Sequence, residues 1–488
     1  MPKLHILPGN IVLEARVGSN LQEVLREAGI YLDAPCGGKG TCGKCKVTIG
    51  GEEVPACRTT ICRDMTVILP ETQPLQILQT GIEGSCAVNP INKGHLLAID
   101  IGTTTVVCYL LDGITGKELA RSSMPNPQAA FGADVISRIQ AALRGGLEQE
   151  TELIRHCLSS LIREVCGEAG ISPDQIGVVS PVGNPAMQQL FLGISPENLA
   201  AVPFNPVLTE AKAVPCGDIL PICPRAQLLV IPNISGYIGA DTLGCVLAAE
   251  LYQKEEITLL VDIGTNGEMV LGSKDRMIAC AAAAGPALEG ANIQFGMCAA
   301  EGAIDHVWLE NGRLQCSVIG GGEAKGICGS GMIDAVAAAL QTGLLNHRGR
   351  LRGEDAVLYL TQKVYLTQED IRRIQLAKGA IHAGIVLMAK QLGIGTTDIR
   401  KVLLAGAFGN HLNPQSACRM GLLPEELADR IEAVGNAAGS GAKMLACDGK
   451  LLSLSRQLTE KIEFLELAGL PDFPKTFARA MRFREETP

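Results

Sequence analysis

A 488-residue chain that writes nearly the same ten residues twice is strongly constrained in what it can become. LLAIDIGTTT stands at 96–105 and LLVDIGTNGE at 259–268. Each copy is an apolar strand ending in an aspartate, Asp100 or Asp262, followed by a glycine turn and a second strand. A third strand is expected after the Thr115–Gly116 turn. Recurrence after about 160 residues is the mark of a duplicated unit, and the length allows about three domains at ~150 residues each. Helical patterns fill the intervals at 134–143, 151–168, 239–252, 329–344, 368–391 and 416–423, so the body is α/β.

The repeats also carry chemistry. In the first, backbone N–H groups over Gly102, Thr103, Thr104 and Thr105 are free to face phosphate oxygens, and the threonine hydroxyls add donors. Gly264, Thr265, Asn266 and Gly267 repeat the arrangement. Two such loops facing each other would clamp a nucleotide, with each aspartate orienting Mg²⁺ or its waters. Glu268 could act on such a water, or be a solvent-facing strand residue.

The N-terminal 75 residues read differently. Strands are expected at 3–7 and 12–17, a helix at 21–28 capped by Ser19, a hairpin turning at Gly50–Gly51, and a strand at 65–70. Between helix and hairpin runs Cys36-x5-Cys42-x2-Cys45-x11-Cys57. Four thiolates suit zinc or an iron–sulfur cluster. Gly37, Gly38, Gly40 and Gly43 give a backbone able to wrap a cluster, and Lys39, Lys44 and Lys46 offset its negative charge. The fourth thiol arrives after a hairpin, unlike the paired knuckles of structural zinc. The pattern favours [2Fe–2S], with Cys57 preferred to Cys62 as fourth ligand, and a small domain would gain a staple from it. The loop resembles plant-type ferredoxins, with five residues rather than four between the first two cysteines.

Residues 76–94, with Gly81, Gly84, Pro90 and Gly94, read as a linker or docking strap that lets the small domain approach and leave a larger one. Most of the other cysteines of the total of 18, such as Cys108 and Cys245, sit in apolar runs as small hydrophobes. With no basic-then-apolar leader the expectation is a reducing, cytoplasmic protein. A net charge of −9 argues against nucleic-acid and anionic-membrane partners, and no apolar run reaches membrane-spanning length.

The two DIGT segments resemble the phosphate-binding segments of the acetate and sugar kinase/Hsp70/actin superfamily. LLAGAFGNHL at 403–412 looks like its adenosine segment, which implies that Gly406 and Gly409 let the backbone approach a nucleotide with Phe408 nearby. GICGSGMIDAVAAAL at 326–340 looks like its connecting helix, where small residues let two helices cross closely. Adding FGADVISRI (131–139), VGNPAM (182–187) and GPALEGANI (285–293), nearly the whole chain resembles the reductive activators of corrinoid proteins. The body here begins right after the strap, where that family often has a longer connection and an additional middle domain.

The resemblance implies a β-grasp ferredoxin-like domain (1–75), a linker (76–94) and a duplicated ribonuclease H-like, two-lobed body (95–255 and 256–488). It implies ATP-dependent transfer of one electron from the cluster to cob(II)alamin, giving cob(I)alamin on a corrinoid protein of a methyltransferase system. A low-potential donor would refill the cluster. Plant-type clusters lie near about −400 mV, and each ~59 mV uphill costs about 1.4 kcal/mol, so ATP is expected to act on the partner's conformation. The same parts would serve an activator of another low-potential metalloenzyme, or a non-enzymatic nucleotide sensor; a small-molecule kinase would have no use for the cluster. Asp134 and Arg138 are spaced for an i,i+4 ion pair or a cleft role. His306, His382 and His411 read as dispersed, His411 near the base or packed.

Overall fold

In the computed structural model the described residues are 1–484, except 33, 35, 37, 39, 41–42, 71–77, 83–86, 265 and 353–354, with the backbone alone at 407 and 408. Cys42, Thr265 and the Phe408 side chain therefore lie outside them.

The N-terminal unit comprises β1 (Lys3–Leu7), β2 (Ile11–Glu14), α1 (Leu21–Glu27), β3 (Lys46–Ile49), β4 (Glu52–Pro55) and β5 (Met65–Ile68). Its sheet order is β2-β1-β5-β3-β4, with β1 and β5 parallel at the centre, which is the β-grasp arrangement. Alternation in β1 turns Leu4 and Ile6 inward onto Leu21 and Leu25 of α1. The α1 cap is Asn20 rather than Ser19: its side chain accepts from the Gln22 and Glu23 amides, while Ser19 gives its carbonyl to Ile61. The Asn20 amide also donates to the Cys57 carbonyl at 2.8 Å, so the capping residue ties the helix to a cluster cysteine.

The first lobe contains β6 (His95–Ile101), β7 (Thr105–Leu111), β8 (Glu118–Pro125), α2 (Val135–Ala141), α3 (Leu147–Ala169), β9 (Ile176–Gly183), α4 (Pro185–Leu192), β10 (Lys212–Pro215), β11 (Gln227–Val230) and α5 (Ala240–Ala248). β6, β7 and β8 form an antiparallel meander, β9 lies parallel to β6, and β11 parallel to β9. The second lobe repeats this order. β12 (Thr258–Ile263), β13 (Gly267–Gly272) and β14 (Met277–Ala282) make the meander. An insertion follows: β15 (Ala303–Glu310), β16 (Arg313–Val318), β17 (Gly326–Ile327), α6 (Gly329–Gln341), the hairpin β18 (Val357–Tyr359) and β19 (Tyr365–Thr367), and α7 (Gln368–Leu392). Then β20 (Lys401–Ala405) runs parallel to β12, and beyond α8 (Gly406–His411) and α9 (Pro414–Arg419), β21 (Ile431–Gly435) runs parallel to β20. The helix expected to 423 stops early because Gly421 turns to a φ of +74°. α10 (Ala437–Cys447), α11 (Lys450–Lys461), β22 (Ile462–Phe464) and α12 (Phe473–Ala480) complete the chain.

The lobes meet at α5 and α10, which follow β11 and β21, the corresponding parallel strands of the two repeats. A Cβ on Gly441 would lie 2.2 Å from the Gly244 carbonyl oxygen, so the two backbones touch. This corrects one sequence expectation. The closely crossing small-residue pair is α5 with α10, not α6, whose Gly331 instead lets that helix lie on the Ile304 backbone of β15. Leu96 and Tyr109 from the first sheet, Leu260 and Val270 from the second, and Leu243 and Leu445 from the crossing helices share one buried cluster.

The strap is tied to the body. The Tyr109 hydroxyl donates to the Gln79 carbonyl at 2.9 Å, and the Asn436 amide donates to the Thr80 carbonyl at 2.8 Å. Farther on, Asn89 exchanges backbone bonds with Cys447 and Gly449.

Gly441→Val should destabilise the protein by about 1–3 kcal/mol, the range for overpacking, because backbone cannot yield as a side chain can. Gly167→Ala, with open space around it inside α3, should stabilise by about 0.8–1 kcal/mol. Urea denaturation of the two variants checks both signs.

Candidate functional site

The register of the two meanders brings the repeats together. Asp100 ends β6 and Asp262 ends β12, and both line one cleft of ≈ 310 Å³ between the lobes. That lies at the low end of the ~300–1,000 Å³ typical of small-molecule sites. Gly102, Thr103, Thr104 and Thr105 line it from one side, and Gly264, Asn266 and Glu268 from the other. Gly267 lies in the hairpin strand, where a Cβ would meet Ile381 at 2.9 Å. Asp262 pairs with Glu268 across the hairpin, which points the glutamate into the cleft and not to solvent.

Gly406 also arrives by register. Ala405 pairs with Asp262, and the next residue turns to a φ of +82°. A Cβ there would stand 2.6 Å from Asp262 Oδ1, so only glycine fits against the carboxylate. Gly409 packs on the Leu404 backbone behind it, and His411 lines the cleft.

The first loop is held by side chains from three other segments. Asn126 donates to the Gly102 carbonyl at 2.8 Å, and Asn184 donates to the Thr103 hydroxyl at 3.0 Å. Arg138, fully buried, donates to the Thr103 carbonyl at 2.5 Å and the Gly132 carbonyl at 2.9 Å. Asp134 meanwhile caps α2, accepting from the Ser137 amide and hydroxyl. Arg138 therefore serves the phosphate loop rather than a surface ion pair.

Two residues the sequence reading passed over complete the cleft. Asn436, the cap of α10, donates to Asp100 Oδ2 at 2.8 Å, a bond between the second lobe and the first. Asp241, in the first turn of α5, adds a third aspartate. An acidic residue at the start of a small-residue helix was the available signal. His306, read as dispersed, also lines the cleft, with Nδ1 3.1 Å from the buried Asp334 carboxylate.

Crowding has an electrostatic consequence. Burial, with the Asp241 charge against it and the Asn436 bond opposing, lifts Asp100 to about 7. Burial and the charges of Asp241, Asp100 and Glu289 lift Asp262 to about 7. Burial pushes Asp241 up to about 6 against the amide bonds of its own helix start, and burial, then the charges of Asp241 and Asp262, pushes Glu268 upward. A divalent cation placed among them would reverse that order by favouring the ionised forms. Carboxylates, threonine hydroxyls and bare glycine backbone are the hard-oxygen and N–H donors that Mg²⁺ and phosphates require.

At the other site, Cys45 is buried and its carbonyl accepts from the Ala56 amide at 2.8 Å, which sets Cys57 beside it across the hairpin. Gly38, Gly40 and Gly43 hold φ of +81°, +75° and +65°. A Cβ on Gly40 would lie 2.7 Å from Arg58 Nε, so the cysteine loop is folded tightly against the residue after Cys57. Thiols on a glycine-wrapped loop fit a [2Fe–2S] cluster. The Cys62 thiol is exposed and turned to the Thr60 carbonyl at 3.7 Å. Among the described residues no group of three or more metal-ligating side chains converges; Cys42 lies outside them.

Two outcomes follow from this geometry. Carboxylates whose folded pKa is raised hold protons that the unfolded chain releases, so without ligand stability should fall as pH rises from about 4 to about 7. Asp241→Asn should therefore raise the melting temperature of the ligand-free protein at pH 8 while weakening Mg-nucleotide binding, read by calorimetry. Cys36→Ser, Cys42→Ser, Cys45→Ser or Cys57→Ser should each damage the cluster in anaerobic iron and sulfide analysis, and Cys62→Ser should leave it.

Comparison with known proteins matches three family models in chain order. The 2Fe-2S iron-sulfur cluster binding domain covers residues 4–67, the RACo middle region 96–254, and the C-terminal domain of RACo, the ASKHA domain, 256–488. The first lobe is thus what that description names the middle region. The chain is 31% identical to corrinoid activation enzyme RamQ of Eubacterium limosum, over 94% of this chain and 95% of that one. It is 28% identical to the [Co(II) methylated amine-specific corrinoid protein] reductase of Methanosarcina barkeri, over 75% and 72%. Among solved structures, a reductive activator for corrinoid, iron-sulfur protein superposes with a TM-score of 0.74 at 27% identity, covering 99% of this chain and 98% of that one. A ferredoxin module joined to a duplicated nucleotide-binding body, matched end to end, places this chain in the family of reductive activators of corrinoid proteins.

Proposed function

We propose that this protein couples ATP to the reduction of a corrinoid protein's cobalt from the Co(II) to the Co(I) state. A [2Fe–2S] cluster on Cys36, Cys42, Cys45 and Cys57, when bound, supplies the electron singly. The observation that carries the reading is the union, in one chain, of a cysteine-bearing β-grasp domain with a two-lobed cleft lined by Asp100, Asp262 and both glycine loops. The relatives' activities on corrinoid proteins support the choice of acceptor.

Each residue has a task that its position supports. Asp100 and Asp262 orient the hydrated cation from opposite lobes, and the amides after them hold the phosphates. Glu268, beside Asp262, accepts the proton of the attacking water. Gly406 and Gly409, with Phe408, admit the nucleoside end. Arg138 and Asn184 keep the first loop in shape. Closure of the lobes on nucleotide supplies the mechanical element, favouring the partner conformation in which cobalt is easier to reduce.

The acceptor is a corrinoid protein of a methyltransferase system, and a low-potential donor protein refills the cluster. Buried thiols such as Cys108, Cys245 and Cys280 support a reducing, cytoplasmic setting. Among the described residues no helix is long and apolar enough to cross a membrane.

Two rates in one anaerobic sample test the proposal: dithionite reduction of the cluster, and ATP-stimulated Co(I) absorbance on a corrinoid partner. Asp100→Asn and Asp262→Asn should leave the first unchanged. Each should slow the second by roughly 10–150-fold, which is about 1.5–3 kcal/mol for a charged hydrogen bond. Unchanged ATP-dependent rates in both variants would overturn the two-loop clamp.

A further inference from the structure

The ferredoxin domain does not hang free of the body; it touches both lobes. On the first, the Arg26 guanidinium of α1 sits 5.1 Å from the ring centre of the buried Phe131. Burial raises the Tyr31 phenol above its ordinary pKa, and the Glu152 carboxylate of that lobe adds to it. On the second, Lys44 Nζ donates to the Gly296 carbonyl at 3.0 Å and reaches the Gly290 carbonyl at 3.5 Å. Lys44 lies within the cysteine loop, immediately before Cys45.

The segment that receives Lys44 has two faces. Its carbonyls at Gly290 and Gly296 hold the ammonium, while Leu288, Glu289, Met297 and Cys298 line the nucleotide cleft. The turn has little slack: a Cβ on Gly296 would lie 2.1 Å from the Gly290 carbonyl oxygen. One tight turn therefore contacts the cluster loop on one side and the nucleotide site on the other.

We infer that Phe131 and the Gly290–Gly296 turn form a two-point docking surface for the chain's own [2Fe–2S] domain, and that lobe closure on nucleotide releases it. The argument is geometric and rests on the proposed nucleotide function. A small domain with a fixed separation between Arg26 and Lys44 fits one separation of the lobes. Closure changes that separation, so at least one anchor must break, and neither a single cation–π contact nor a lysine–carbonyl bond resists binding of a nucleotide. Docked, the cluster loop faces the body; released, it is free to meet a protein acceptor.

Small-angle scattering of the full-length cluster-loaded protein, with calorimetry on the same samples, tests this. A compact chain of this length has a radius of gyration of about 23 Å. Addition of Mg²⁺ and a non-hydrolysable ATP analogue should raise it by on the order of 2 Å. Arg26→Ala/Lys44→Ala should be expanded without nucleotide and respond no further, its visible spectrum confirming a folded cluster domain. Lys44→Arg should restore docking, and Lys46→Ala, whose partner is Glu53 at 2.9 Å within the same domain, should behave as the unmodified protein. If the analogue binds and the radius does not change, or if the double variant is as compact as the unmodified protein, the docking surface is wrong while the nucleotide site stands. If calorimetry detects no binding of the analogue, both the proposed function and this inference fall.

Discussion

The contact between Gly244 and Gly441 sets the geometry of the rest. With no side chain at either position, α5 and α10 cross backbone to backbone at the seam of the lobes. Both helices begin at the cleft. Asp241 stands one turn before Gly244, and Asn436 caps α10 five residues before Gly441. The crossing therefore places the two helix starts, with their positive dipole ends, beside Asp100 and Asp262 at the ends of the central strands. A bulkier pair would part the sheets and with them the two phosphate loops. The spacing of the cleft aspartates is thus set by residues that themselves have no chemistry to perform.

What could be read in the chain and what could not follows from how each feature is encoded. The strand–Asp–Gly repeat is local text, so Asp100, Gly102, Asp262 and Gly264 were identifiable before any folding was considered, as was the direction of the strand running into Gly406. The cysteine loop is likewise local. By contrast, Asn436 reaches Asp100 across 336 positions of sequence, and Arg138 reaches Thr103 from a helix whose spacing leaves an ion pair with Asp134 and a cleft role both open. In sequence the small-residue run of α6 looks like the crossing helix, and the pattern alone does not point to α5 and α10, the pair that do cross. That choice depends on which helix follows β11 and β21, the corresponding parallel strands of the two repeats. The sequence pattern places the α1 cap at Ser19; it falls one residue later, at Asn20, whose side chain accepts from the Gln22 and Glu23 amides and also donates to the Cys57 carbonyl.

The strap shows how the nucleotide site is tied to the path between the domains. The Thr80 carbonyl accepts from the backbone amide of Asn436, the same residue whose side chain holds Asp100. Gln79 is bound to Tyr109 of the first lobe, and Thr80 and Gly81 lie against Gly435 and Asn436 of the second. Residues just beyond the ferredoxin domain therefore sit at the seam of the two lobes. The tether thus passes a group bonded to Asp100, and the docking inferred above would give the cluster loop a second approach to the cleft.

The electrostatics of the cleft would give nucleotide binding its direction. Four carboxylates, Asp100, Asp241, Asp262 and Glu268, are drawn together from both lobes with their ionised forms disfavoured by burial and by each other. Like charges held at short range across a seam resist its closing. A divalent cation set between them converts that repulsion into shared attraction, because each carboxylate then faces a double positive charge. Asp100 and Asp262 stand on different lobes, so the gain would be realised only when both approach the cation. On the proposed mechanism, binding energy is thereby directed into lobe movement, the mechanical element that an uphill electron transfer to a separate protein requires.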